Sequence, residues 1–134
     1  LNHLNYFLLT DCLLDLVRAS GKGRIVNVSS EAHRGAKLDL ENLNGEQHYS
    51  GWKAYQQSKL ANILFTYHLH RRLDSNAVTV NCLHPGFVAS KFGHNNRGFV
   101  GLALRWSQKV GAISVADGAK TSVYLASSEE VDGV

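Results

Sequence analysis

Methionine is absent from all 134 residues, and proline occurs only once, at Pro85. The chain opens on LNHLNYFLLTDCLLDLV, a strongly apolar helical pattern with no capping residue ahead of it. It reads as part of a longer polypeptide. Cysteine is scarce as well. Cys12 falls in a helical pattern and Cys82 in a strand pattern, which excludes a disulfide framework or zinc spacing and predicts two small buried apolar residues. No apolar run in this stretch reaches the roughly 18 residues that suggest a membrane span, and no signal peptide is visible in it; an anchor or targeting segment outside this stretch stays open. The cytoplasm is the expectation from this stretch alone. A large excess of one charge is also missing. The formal net charge is +3 and the basic residues are scattered, with Arg71–Arg72 the only adjacent basic pair. That pair reads as a solvated helix end rather than a nucleic-acid patch.

What is present has the balance of a soluble globular protein, with 44% apolar and 19% charged residues. Its length predicts a single domain over 1–134. Leu1 to about Ala19 is predicted as a helix with so wide an apolar face that other structure should cover it. The glycines of SGKG, Ser20–Gly23, end it. RIVNV, Arg24–Val28, is short and β-branched, the pattern of a buried strand. A long aperiodic stretch follows, of the kind that is functional or disordered in compact domains. A second helix is predicted from about Gly51 to Leu73, with Leu60, Ile63, Leu64 and Tyr67 facing a core. AVTVNCL, Ala77–Leu83, is a second buried strand, and HPGFVASKFGHNNRG a loop. A short helix is expected over Phe99–Val110. A last helix begins at Ser114, with Asp117 completing a capping box.

Strands separated by helical crossovers imply a parallel sheet with helices on its faces. The predicted fold class is α/β, a partial doubly wound parallel sheet of Rossmann type. Two strands are too few for a stable sheet of this kind, so the expectation is the second half of a domain. In such sheets, ligands bind beyond the carboxyl ends of the strands. Ser29–Ser30 lies there after the first strand and His84–Ser90 after the second. The helix carrying Tyr55 and Lys59, four apart on one face, starts after the loop that leaves the first strand. A phenol titrates near ~10 and is a poor proton carrier at neutral pH, but a neighbouring ammonium favours its anion. A serine hydroxyl could hold a substrate oxygen while the tyrosine moves a proton on or off it. Converting a carbonyl to an alcohol also needs hydride, which side chains cannot supply, so a nicotinamide or flavin would be required. Each piece has a plainer meaning alone: surface neighbours for the helical pair, turns for the serine and the Pro-Gly.

In combination and order, these residues resemble the short-chain dehydrogenases/reductases. YQQSK matches the Tyr-x-x-x-Lys motif, and VNVSS the strand ending in the active-site serine. LNHLNYFLLT matches the helix with a catalytic asparagine, and HPGFVAS the Pro-Gly loop. RIVNVSSEAH, YSGWKAYQQSKLANILFT and LHPGFVASKFG are similar to the retinol-dehydrogenase-like branch. The resemblance implies that Tyr55 is the acid/base, and that Lys59 lowers its pKa and bonds the nicotinamide ribose. It implies that Ser30, rather than Ser29, holds the substrate oxygen, and that Asn2 holds a water in a proton relay behind Lys59. Pro85, Gly86, Val88 and Ser90 would border the nicotinamide. The branch favours NADP over NAD and a lipophilic alcohol or carbonyl substrate. Members often dimerise or tetramerise through their long helices, here those around Leu1–Ala19 and Gly51–Leu73, so a homo-oligomer is expected.

The family's Gly-rich pyrophosphate turn is missing; Gly21–Gly23 precedes a strand, the wrong context. The 134 residues alone are therefore expected to be inactive. Two other readings stand beside this one. The chain could come from a nucleotide-sensing binder that keeps the fold without turnover, or it could be a truncated product with no activity. Several features read as decoys. Asn27–Ser29 fits a glycosylation sequon but sits in a predicted buried strand. His68 and His70 are two apart on a helix, which points their rings apart and disfavours metal. His33 and His84 flank the presumed pocket as local hydrogen-bonding residues. Core packing is expected for Trp52; Phe87, Phe92 and Trp106 divide evenly between core and substrate wall.

Overall fold

The computed structural model describes residues 1–74, 77–89 and 111–134. Its regular elements are α1 (Leu4–Ala19), β1 (Gly23–Val28), α2 (Gly51–Arg72), β2 (Val78–Leu83) and α3 (Val115–Ser127), with short 3-10 turns at Glu31–His33 and Glu129–Val131. The order agrees with the reading of the sequence, and boundaries differ by only a few residues. The helix expected over Phe99–Val110 lies outside the described residues.

β1 and β2 pair in parallel, in register from Gly23 opposite Val78 to Val28 opposite Leu83. Ser29 N–H carries the ladder one step further by donating to Leu83 O at 2.6 Å. The two strands therefore end side by side. A small apolar core of Leu69, Val78 and Val80 forms where α2 crosses the sheet, with Val17, Ile25, Phe65, Leu73 and Ala77 packed around it. Gly21, at φ +73°, ends α1, a conformation glycine adopts without a Cβ clash. It sits before β1, so it is not a phosphate turn.

α2 does not meet the sheet with its apolar row. Leu64 and Tyr67 are exposed and Leu60 and Ile63 only half-buried, whereas the buried residues are Asn62, Thr66 and Leu69. The packed face is thus the row Tyr55, Lys59, Asn62, Thr66, Leu69, spaced four, three, four and three. Directional bonds hold it. Asn27 Nδ2 on β1 donates to Thr66 Oγ1 at 2.9 Å, and Ser29 Oγ donates to Lys59 O at 2.8 Å. Asn27 is 2% exposed, which agrees with discounting the sequon. α1 also departs from expectation. None of its residues is buried, and Leu4, Leu8, Leu9 and Leu16 are open. It rests on β1 through one flank and, through Phe7, on Phe65 of α2 at 5.4 Å between ring centroids. No described element covers its remaining apolar surface. Cys12 lies on this open surface and Cys82 is half-buried, so neither is the fully buried residue predicted.

The loop between β1 and α2 is built around Asn42. Its Oδ1 accepts from Gln47 N–H at 3.0 Å and its Nδ2 donates to His48 O at 2.9 Å. Gln57 Oε1 on α2 accepts from Asp39 N–H at 2.9 Å. At α3 the predicted box is present: Ser114 Oγ accepts from Asp117 N–H at 3.0 Å and donates to Asp117 Oδ2 at 2.6 Å. Gly118 is buried in α3, and a Cβ there would lie 2.5 Å from Val88 Cγ2. Its bareness lets the helix approach the loop after β2. The chain's last turn is tied back to β1 by Arg24, which donates to Leu125 O at 3.1 Å and pairs with Asp132.

Candidate active site

Because the strands end together, the segments leaving them share one edge, and α2 brings its first turns to that edge. An open cavity of about 840 Å³ lies there. Asn2, Ser30, Tyr55, Lys59, Pro85, Gly86 and Val88 all line it. Seven of the eight site residues expected from the motifs are therefore brought together. The eighth, Ser90, lies outside the described residues, as do Phe92 and Trp106.

Tyr55 and Lys59 occupy consecutive turns of the sheet-facing row. Lys59 Nζ stands 5.8 Å from the Tyr55 ring centroid and donates to Val28 O, the last carbonyl of β1, at 2.9 Å. Burial holds the Lys59 ammonium below its ordinary value, since leaving water disfavours the charged form. The two serines divide their work. Ser29 is buried, its hydroxyl committed to Lys59 O. Ser30 is half-buried; its Oγ accepts from Ala32 N–H at 3.2 Å and caps the 3-10 turn. A hydroxyl keeps one donor beyond that acceptance.

Asn2 lies just ahead of α1. Its Nδ2 donates to Ser58 Oγ at 3.4 Å, and Ser58 Oγ in turn donates to Tyr55 O at 2.7 Å. Behind it sits Asn62, fully buried, a residue that motif reading passed over. Asn62 Nδ2 donates to Asn2 O and to Val28 O, each at 3.3 Å, and its Oδ1 accepts from His3 Nδ1 at 3.0 Å. One amide thus joins the start of α1, the end of β1 and the middle of α2. The available signal was its position, seven residues after Tyr55 and three after Lys59, on the same helical face.

On the other side of the cavity, Gly86 takes φ +81°, which favours glycine. Gly86 N–H donates to His84 Nδ1 at 3.3 Å, and His84 Nε2 lies 3.1 Å from Glu31 Oε1. His33 Nδ1 meets Ser30 O at 2.6 Å. Both histidines are engaged in local contacts, as expected, and among the described residues no cluster suits a metal. The Phe87–Ala89 backbone is held against Ile113 by two hydrogen bonds, each 2.9 Å. Trp52 corrects the sequence reading. It is not core; it is 61% exposed, lines the cavity, and its ring lies 5.8 Å from that of Tyr55 at a tilt of 32°. From its position in the first turn of α2, at the edge of the sheet, none of the described residues buries it.

This geometry is that of a known class. The sequence model for short chain dehydrogenases matches residues 1–99, and the chain belongs to that family. Retinol dehydrogenase 14 of Homo sapiens is 45% identical over 139 residues, covering 99% of this chain and 40% of its own length. Retinol dehydrogenase 13 of Homo sapiens is 43% identical over 140 residues, with 99% and 42% covered. Polyprenol dehydrogenase of Danio rerio is 39% identical over 140 residues, with 100% and 43% covered. The chain thus spans about two fifths of the length of these curated relatives. A crystal structure of an uncharacterized protein from Mycobacterium paratuberculosis superimposes with a TM-score of 0.65 at 34% identity, covering 96% of this chain and 40% of that one. Rossmann-type α/β architecture and the retinol-dehydrogenase-like branch both follow. No helix among the described residues is long and apolar enough to cross a membrane.

Proposed function

We propose that this chain carries the proton-transfer half of a nicotinamide-dependent oxidoreductase that interconverts an alcohol and a carbonyl on a small lipophilic molecule. The observation that carries the reading is the opening of Ser30, Tyr55, Lys59 and the Pro85–Val88 loop onto one cavity. The donor set fits a nicotinamide ribose. An ammonium has three donors, and Val28 O engages one of those of Lys59. The Tyr55 phenol is one turn away, and Pro85, Gly86 and Val88 offer an uncharged wall. When bound, the nicotinamide supplies or accepts the hydride.

The chain's own residues handle the proton. Ser30 donates its hydroxyl proton to a hydrogen bond with the substrate oxygen. Tyr55 gives its proton to that oxygen in reduction and takes it back in oxidation. Lys59 steadies the negative charge left on the phenol and holds the ribose. Asn2 holds a water that relays the proton behind Lys59. NADP is the form the branch resemblance favours, with NAD the alternative, and the motif assigns Ser90 to the same wall. The open apolar faces of α1 and α2 support a homo-oligomer built on those helices.

Tyr55→Phe in the protein made from its own gene tests the assignment. Turnover of an aldehyde with NADPH should fall by roughly 10² to 10⁴, while NADPH binding, read by its fluorescence, survives. Undiminished turnover would remove Tyr55 from the chemistry. Cofactor binding by a wild-type protein that turns over no carbonyl or alcohol would favour a nucleotide-sensing binder.

A further inference from the structure

Scattered exposed apolar side chains are ordinary on proteins, but Trp52 is not scattered. It lines the cavity together with Phe87, itself 45% exposed. Both rings stand on fixed backbone. Trp52 belongs to the first turn of α2, and the Phe87 segment is held by its two backbone bonds to Ile113. Rigid aromatics left open on a concave wall are the usual anchors for an apolar ligand. The charges nearby fit an uncharged body. The Glu31 carboxylate on the wall is already met by Arg34 at 2.6 Å and His84 at 3.1 Å, and the Lys59 ammonium is turned to Val28 O.

We infer, resting on the proposed function above, that Trp52 is the specificity-determining residue of this site. Its indole, with the Phe87 ring, takes the uncharged hydrocarbon body of the substrate. The contact of the indole with Tyr55 places that body so that the reacting oxygen lies toward the phenol.

The test uses a series of straight-chain aldehydes, from short to long, on the protein made from its own gene. In Trp52→Ala the ratio of kcat/KM for the longest aldehyde to that for the shortest should fall by roughly tenfold or more, chiefly through KM. Trp52→Phe, which keeps a ring, should retain most of the ratio. A loss of kcat equal along the whole series would mean that Trp52 acts only through Tyr55, and would overturn the inference. Binding of the neutral dye Nile red gives a second readout without chemistry. If wild-type protein reduces no aldehyde, the proposed function fails by itself; weaker dye binding by Trp52→Ala would still uphold the apolar wall, and equal binding would overturn it.

Discussion

Replacing Asn62 with leucine, close in volume but unable to hydrogen bond, tests whether one amide holds the site together. Three bonds are lost: from His3 at 3.0 Å, and to Asn2 O and Val28 O at 3.3 Å. A typical intramolecular bond contributes about 1 kcal/mol net, so about 3 kcal/mol is the ceiling. Two of the bonds are long, which lowers the sum. Val28 O keeps the Lys59 ammonium, and Asn2 is exposed enough for its carbonyl to find water, so neither acceptor is stranded. Leucine also gains from burial at a fully buried position. The balance is a loss of about 2 kcal/mol, or roughly 6 °C in Tm for a domain of this size. Urea unfolding followed by circular dichroism should show a lower midpoint with an unchanged slope. Turnover should fall as well, because Asn2 loses its backbone tether to α2 and keeps only the 3.4 Å side-chain bond to Ser58. A loss below about 0.5 kcal/mol, or a wild-type rate, would refute the role of Asn62 as the joint between α1, β1 and α2.

Lysine 59 makes a prediction with a definite sign. Its folded-state pKa lies below the ordinary value of about 10.4 because of burial, so the unfolded chain holds the proton more tightly. Stability should therefore rise with pH between the lowered value and the ordinary one; a Lys59→Met variant, compared by urea midpoint across that window, should lack the rise, and parallel curves would contradict the assignment. Gly118→Ala should return about 1 kcal/mol of helix propensity but force Val88 aside at a cost of about 1 to 3 kcal/mol. The variant should thus be less stable by up to about 2 kcal/mol and weaker in NADPH binding, and adding Val88→Ala should restore it; a gain in stability would show that the loop yields freely. Ser114→Ala removes the α3 cap and should lower stability by about 1 kcal/mol in the same unfolding assay.

Much of this was legible because the informative signals are local. The Tyr-x-x-x-Lys spacing, the serine at a strand end and the Pro-Gly after the next strand are each short-range, and a parallel sheet makes them converge. The capping box at Ser114 was equally local. The packing of α2 was not. Apolar periodicity assumes that a helix meets its neighbour through hydrocarbon, which pointed to Leu60, Ile63, Leu64 and Tyr67. Asn62 and Thr66 instead face the strands, because Asn27 and the Val28 carbonyl offer them partners, and a pattern read along one helix cannot show what waits on the next element. The expected cover over α1 failed for a related reason: an apolar surface says that something belongs on it, not that the described elements supply it. Trp52 was misread because aromatic residues are more often core, and only the position of its turn at the cavity edge shows otherwise.

The seam between α2 and the sheet has a consequence for how the protein tolerates change. Hydrocarbon contacts are non-directional, so a helix greased onto a sheet can slide and find a new fit. A seam stitched by Asn27 to Thr66, Ser29 to Lys59, and Lys59 and Asn62 to Val28 has one engaged position. A slip of one turn, about 5.4 Å, would unpick every stitch together. It behaves like a keyed joint, seated or not seated. The height of the phenol above the strand ends is consequently indifferent to gradual drift in the apolar residues nearby, and the walls of the cavity are free to diversify around a fixed proton donor.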